Sequence, residues 1–110
     1  TGSQMDKRAI KQIVTRFCTE LTRMGIDVEQ VLLFGSQASG KAHEGSDIDL
    51  IVISLDWEPY NQRERLEMLG VAAARILEPV QATGFTPQEI ASRKLMPFWE
   101  HILDEQASPV

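Results

Sequence analysis

The chain has 110 residues, of which 43% are hydrophobic and 25% are charged, and its formal net charge is −5. This length and composition indicate one small soluble domain with a single modest core. No apolar run approaches the roughly 20 residues that a membrane-spanning helix needs. The negative charge argues against duplex nucleic acid as a partner, because proteins that hold duplexes use a basic surface to neutralise phosphates.

Residues 1–4 resemble the remnant of a cleaved expression tag, so the domain is predicted to span residues 5–110. No secretory signal is visible in the sequence. The single cysteine, Cys18, falls on the apolar face of the first predicted helix, where packing is expected rather than reactivity. One cysteine allows no internal disulfide, which fits a reducing cytoplasm.

The first half of the chain predicts a helix followed by two strands. Apolar residues recur at three- and four-residue steps, which is typical of an amphipathic helix, here over about residues 5–24. Gly25 is a suitable stop for it. Apolar runs predict strands over residues 28–34 and 48–54, and the segment 37–46 between them reads as a short helix or loop.

The second half predicts a long helix and a third strand. After a loop broken by Pro59, a helix is expected over residues 61–77. Its inner face should carry Leu66, Leu69, Ala73 and Ile76. The third strand is predicted over residues 79–83.

Two short helices are predicted at the end of the chain. Thr86 can cap the first, Pro87 suits its first position, and Glu89 completes a capping box. The last helix should run over about residues 97–105. Its apolar side could cover the sheet or could bind a partner chain.

Two carboxylates stand at the start of the second predicted strand. Asp47 and Asp49 are two residues apart, so they share one face of the strand while the residues between and after them face a core. Like charges on one face repel each other, and a bound cation removes that cost. Hard carboxylate oxygens suit Mg²⁺ or Mn²⁺. The alternative is a solvated strand edge whose acids merely discourage aggregation.

A Gly-Ser pair ends the first predicted strand. Gly35 permits a close approach of the backbone, and a helix starting near Ser36 would direct free N–H groups at an anion. The Ser36 hydroxyl could add one hydrogen bond to a phosphate oxygen. The alternative is an ordinary turn in which Ser36 only caps a helix.

The spacing of these two elements carries a family resemblance. The segment from Gly35 to Val52 resembles the signature of the nucleotidyltransferase superfamily that includes DNA polymerase β. More closely, it resembles the minimal nucleotidyltransferases of bacteria and archaea, many of which serve as antitoxins to helical HEPN-type toxins. The resemblance implies an α/β (α+β) fold in which helices pack on one face of a small mixed sheet and a metal site lies on the other.

The resemblance also implies a third carboxylate on a later strand. Glu78 is the candidate, as a third metal ligand beside Asp47 and Asp49 or as a general base. Pro79 follows it directly and suits an edge strand or a strand start. The alternative is a surface glutamate at the end of a helix.

The same resemblance implies phosphate contacts from the loop after the first strand. Gly35, Ser36, Lys41 and Ser46 are the candidates for holding a nucleoside triphosphate. Relatives often carry arginine where this chain has Gln37 and Ser39, so this loop has less charge to neutralise phosphates.

The function implied by the resemblance is the Mg²⁺-dependent transfer of a nucleoside monophosphate to a hydroxyl. The donor would be ATP or another nucleoside triphosphate, and the acceptor a tyrosine of a HEPN-type toxin. One alternative is a degenerate fold that neutralises its toxin by binding alone, as a hetero-oligomer. Another is a transferase acting on a small molecule such as an aminoglycoside.

Overall fold

The computed structural model describes residues 7–35, 47–92 and 95–110. The helices are α1 (Lys7–Arg23), α2 (Gln62–Ile76), α3 (Pro87–Ser92) and α4 (Pro97–His101), with a 3₁₀ turn at Leu55–Trp57 and a π-helical turn at Ile102–Gln106. The strands are β1 (Gln30–Phe34), β2 (Ile48–Ile53), β3 (Val80–Phe85) and β4 (Ser108–Pro109).

The four strands form one mixed sheet in the order β3-β2-β1-β4. Strand β1 is antiparallel to both β2 and β4, whereas β2 and β3 are parallel. A parallel pair needs a long crossover, and α2 supplies it. The predicted α/β fold with a small mixed sheet is confirmed.

Helices α1 and α2 pack on one face of this sheet. Strand β2 presents every second residue to them, and these side chains are fully buried: Ile48, Leu50 and Val52. This is the alternation that the sequence predicts for a strand with one face towards a core. From α1 the core receives Ile10, Ile13, Val14, Phe17 and Leu21, and from α2 it receives Leu69, Ala72, Ala73 and Ile76.

Helix α1 ends where Gly25 was predicted to stop it. Gly25 has a φ of +93°, its N–H donates to the carbonyl of Thr22 at 3.0 Å, and the N–H of Ile26 donates to Leu21 at 2.9 Å. These two bonds form a Schellman motif, which satisfies carbonyls that the helix end leaves free. Leu21 and Ile26 are both fully buried, so the motif also aims the chain into the core towards β1.

The inner face of α2 differs from the prediction at one residue. Leu69, Ala73 and Ile76 are buried as expected, but Leu66 is 51% exposed and Arg65 is only 4% exposed. The Arg65 guanidinium is tolerated inside because it donates to the carbonyls of Tyr60 and Gly84 and pairs with the carboxylate of Glu89. Apolar periodicity alone does not detect this partner set.

The predicted loop before α2 contains a core residue. Trp57 ends the 3₁₀ turn, is fully buried, and donates from Nε1 to the carbonyl of Val52 at 3.1 Å. Strand β3 makes room for the indole with Gly84, since a Cβ built there would lie 2.7 Å from the indole atoms Cε2 and Nε1. The short turn therefore closes one end of the core.

The C-terminal segment packs on the opposite face of the sheet. There Ile51, Ile53, Phe85 and Ile102 form a second, smaller buried cluster. Trp99 of α4 meets the rings of Phe34 and Phe85 edge to face, with centroids 5.7 and 5.5 Å apart. The last helix thus covers the sheet, while Phe98 on its outer side remains 58% exposed.

Candidate functional site

Asp47 and Asp49 lie at the start of β2, on the face opposite α1 and α2. The antiparallel register places Asp49 across from Phe34, the last residue of β1. The residue after Phe34 is Gly35. The C-terminal end of β1 and the N-terminal end of β2 therefore lie side by side. Ile48 stands between the two aspartates in sequence. Its side chain is buried in the main core and so fixes the backbone that carries them.

Gly35 lies directly against the Asp49 carboxylate. Its φ is +74°, a conformation that favours glycine. A Cβ built on it would overlap Oδ2 of Asp49 and would lie 3.1 Å from Cγ. The site therefore needs glycine here for two reasons, the backbone conformation and the space taken by the carboxylate.

The third strand contributes Gln81 to the pair. Its position in the parallel register is opposite Asp49, and its Nε2 donates to Oδ2 of Asp47 at 2.6 Å. Sequence reasoning missed Gln81 because it searched β3 for an acid. The available signal was the strand period, since alternate residues of β3 share the face of the Asp pair.

Glu78 occupies the turn between α2 and β3. Its Oε2 accepts a hydrogen bond from Nη1 of Arg16 on α1 at 3.2 Å, and the same guanidinium donates from Nη2 to the carbonyl of Ile76 at 2.8 Å. The structure thus places Glu78 with Arg16 and places Gln81 beside Asp47 and Asp49. Within residues 7–35, 47–92 and 95–110, no three His, Cys, Asp or Glu side chains are grouped to hold a metal ion.

The two carboxylates of the pair influence each other. Burial raises the pKa of Asp49, and the negative charge of Asp47 raises it further. Both effects mean that the ionised pair is held at a cost in this site. A divalent cation would offset that cost, and the oxygen donor set suits Mg²⁺ or Mn²⁺, which take one or two carboxylates and complete their shell with phosphates and water.

A cleft of about 480 Å³ opens beside Asp49. Gln81 and Thr83 line it from β3, and Phe34, Phe98 and Trp99 add aromatic walls. The cleft therefore joins the charged end of the site to an apolar surface. It is large enough for a drug-sized ligand or a side chain of another protein.

The remaining candidate phosphate contacts, Ser36, Lys41 and Ser46, lie outside the residues that the structure describes. The same is true of Gln37 and Ser39, the two positions at which the loop departs from its relatives.

The profile of the nucleotidyltransferase domain family matches residues 10–92, which include the Gly35 turn, the Asp pair and Gln81. The chain belongs to the nucleotidyltransferase domain family. Its fold agrees with two solved structures. One, a toxin–antitoxin with AMP-PNP, shares 21% identity with a TM-score of 0.54, over 84% of this chain and 68% of that one. The other, a candidate nucleotidyltransferase from Sulfolobus solfataricus, shares 23% identity with a TM-score of 0.51, over 83% and 85% of the two chains.

No curated protein matches this nucleotidyltransferase domain in sequence. Within the part of the chain that the structure covers, no helix combines the length and the apolar character needed to span a bilayer.

Proposed function

We propose that this nucleotidyltransferase moves a nucleoside monophosphate from ATP to a tyrosine hydroxyl of a helical HEPN-type toxin, and thereby acts as its antitoxin in the cytoplasm. The observation that carries the proposal is the close contact between Gly35 and Asp49. It brings a glycine turn that could bind phosphate next to a pair of carboxylates that could bind a cation. A structural neighbour that is a toxin–antitoxin with AMP-PNP supports the choice of donor and partner.

Asp47 and Asp49 would hold the divalent cation, Mg²⁺ or Mn²⁺, that accompanies the triphosphate. When bound, such a cation neutralises phosphate charge and favours departure of pyrophosphate. The Gly35 backbone would approach the phosphates, and Ser36, Lys41 and Ser46 would supply further contacts from the loop after β1. Fixing the donor in this way would hold its α-phosphate in one orientation for attack by the acceptor.

The transfer itself is a displacement at phosphorus. The acceptor oxygen forms a bond to the α-phosphorus, and the bond from that phosphorus to the bridging oxygen of the β-phosphate breaks. Pyrophosphate leaves with the bonding electron pair, and the hydroxyl proton passes to water. Glu78 is not assigned a role in this reaction, because its carboxylate forms a salt bridge with Arg16.

The acceptor would reach the site through the cleft. Leu66 and Phe98 line it and are both more than half exposed, although they are large apolar side chains. Exposed apolar groups at the mouth of a site favour a protein surface as the substrate over a small polar molecule. Adding the nucleotide would then silence the toxin through bulk and negative charge.

A second candidate is neutralisation of the partner by binding alone. It is favoured by one observation, that an amide rather than a third acid lies beside the Asp pair among the described residues. In this case ATP could still bind, but no nucleotide would reach the partner.

The proposal is tested first by calorimetric titration of the purified chain with ATP, with and without MgCl₂. We expect Mg²⁺-dependent binding that Asp49→Asn abolishes. Asp27→Asn is the matched control, since this exposed aspartate precedes β1 at the opposite end of the sheet and loses the same charge.

The second step uses ATP labelled at the α-phosphate and a HEPN-type protein encoded beside this chain. Label on the partner that disappears with Asp49→Asn supports the transferase. Binding of ATP without labelled partner supports the binding-only candidate. Absence of Mg²⁺-dependent ATP binding, with the partner present as well as absent, contradicts the donor site.

A further inference from the structure

Gln81 of β3 is hydrogen-bonded to the Asp pair. Its Nε2 donates to Oδ2 of Asp47 at 2.6 Å, while its backbone stands opposite Asp49 in the parallel register. Gln81 therefore stands beside Asp49 through its backbone and holds Asp47 through its side chain. In the described part of the chain β3 is the edge strand of the sheet, so no further strand of that part brings another ligand from that side.

The chemistry of an amide differs from that of an acid at this position. The amide donates a hydrogen bond to Asp47, so it orients that carboxylate even when no cation is present. It brings no negative charge, and it can neither repel the two aspartates nor add a third charge to attract cations. Glu78, the nearest acid in sequence, is held by Arg16.

We infer that Gln81 is the positioning residue of this site and that it restricts the site to one divalent cation. This inference rests on the proposed function, since it assumes that the Asp pair holds a cation. The hydrogen bond holds one oxygen of Asp47 and leaves the other for the cation. Among the residues that the structure describes, the site has two carboxylates and one neutral amide. This is enough charge for one ion, whereas a second ion normally requires further carboxylate oxygens.

The inference predicts opposite effects of two substitutions. Gln81→Ala removes the hydrogen bond to Asp47, and loss of such an orienting partner typically lowers metal affinity about 10-fold or more. Gln81→Glu places a third negative charge beside Asp47 and Asp49. It should destabilise the metal-free protein through repulsion, and it should raise the affinity for Mn²⁺ and allow a second ion to bind.

The experiment measures Mn²⁺ binding by electron paramagnetic resonance and melting temperature in EDTA and in MnCl₂. Four proteins are compared: the natural chain, Gln81→Ala, Gln81→Glu and Gln30→Glu. The last is the matched control, because Gln30 is an exposed glutamine at the far end of β1 and undergoes the same chemical change. We expect one Mn²⁺ per chain in the natural protein and in Gln30→Glu, and two in Gln81→Glu.

The melting temperatures provide a second readout. Gln81→Glu should melt lower than Gln30→Glu in EDTA and should recover in MnCl₂, which a merely structural role of Gln81 does not predict. Two ions in the natural chain, or equal Mn²⁺ binding in Gln81→Glu and Gln30→Glu, would overturn the inference.

The Mn²⁺ measurement can fail or succeed independently of the nucleotide-transfer assay that tests the proposed function. Mn²⁺ counting needs neither ATP nor a partner, so absence of nucleotide transfer leaves the inference standing. Absence of Mn²⁺ binding by the natural chain would overturn the inference, whatever Gln81→Glu binds. It would leave the proposed function to the ATP titration, because there the cation arrives with the triphosphate.

Discussion

The α-carbon of Gly35 lies so close to Asp49 that a side chain at position 35 would overlap Oδ2 of the carboxylate. This contact follows from the pairing of β1 with β2, which sets Phe34 opposite Asp49 and carries the next residue past the end of the ladder. The turn after β1 and the acids at the start of β2 therefore form one unit. A substitution in the turn should therefore shift the position of the Asp49 carboxylate.

Gly35→Ala should lower both stability and ligand binding. The left-handed backbone costs about 1–2 kcal/mol for a residue with a side chain, and overlap with Asp49 adds roughly 1–3 kcal/mol. Urea denaturation measures the free energy of unfolding, and calorimetry measures Mg²⁺-dependent ATP binding.

Gly25→Ala is the control for this change. Gly25 also has a positive φ, but a Cβ there meets no atom within 4 Å. It should show the backbone cost alone and keep ATP binding. Equal losses of stability and binding in the two variants would contradict a specific contact between Gly35 and Asp49.

Asp49→Asn should stabilise the metal-free protein while abolishing cation binding. Burial and the charge of Asp47 both act against the ionised Asp49 carboxylate, so removing its charge relieves both. Because the carboxylate is only partly buried and solvent screens the repulsion, the gain should be small, about 0.2–1 kcal/mol. Melting in EDTA at pH 7 checks this, with Asp27→Asn as the control for loss of one acidic charge. A melting temperature below that of the control would refute the prediction.

Glu89 should contribute stability that depends on pH. Burial alone would raise the pKa of its carboxyl, but the hydrogen bonds and charge of Arg65 and the hydrogen bonds of Thr86 outweigh this and lower the pKa. A folded-state pKa below the unfolded value stabilises the protein above the unfolded pKa, about 4.3. This contribution is lost as the pH falls through the folded-state pKa.

The measurement is urea denaturation of the natural chain and Glu89→Gln between pH 7 and pH 3. At pH 7 the variant should lose about 1–3 kcal/mol, less than a fully buried pair, because 39% of the Glu89 side chain is exposed. The difference between the two proteins should shrink as the pH falls. A difference that stays constant over this range would show that the charge of Glu89 does not matter.

Gly84→Ala should destabilise the protein through its effect on Trp57. A Cβ at position 84 would lie 2.7 Å from the indole, which is buried and has little room to move. Overpacking of this kind costs about 1–3 kcal/mol. Trp57 fluorescence during urea denaturation reports the change.

Gly70→Ala is the matched control for Gly84→Ala. Gly70 lies within α2, and a Cβ there meets nothing within 4 Å. Because alanine favours a helix more than glycine does, this variant should gain about 0.5–1 kcal/mol. A gain of stability in both alanine variants would contradict the close packing of Gly84 against Trp57.

Strands β1 to β3 and the capped helix start were accessible from local sequence, whereas the two-residue strand β4 was not predicted. Strand β2 is a β-branched run whose alternate residues are buried, and Thr86 and Glu89 form the predicted capping box, with hydrogen bonds of 2.8 and 3.1 Å. These features depend on residues a few positions apart. Arg65 was not foreseen as a buried residue, because the carboxylate that pairs with it is 24 residues away in Glu89.

The sequence by itself determined the two long helices, the strands β1 to β3, the fold class and the position of two acids on one face of a strand. These follow from periods of two and 3.6 residues and from short motifs, which act within one element or between neighbours. Only the tertiary structure decided which residue of β3 stands beside those acids. That choice depends on the register of a parallel pair set by the length and packing of α2, and it brought Gln81 to Asp47 and left Glu78 with Arg16.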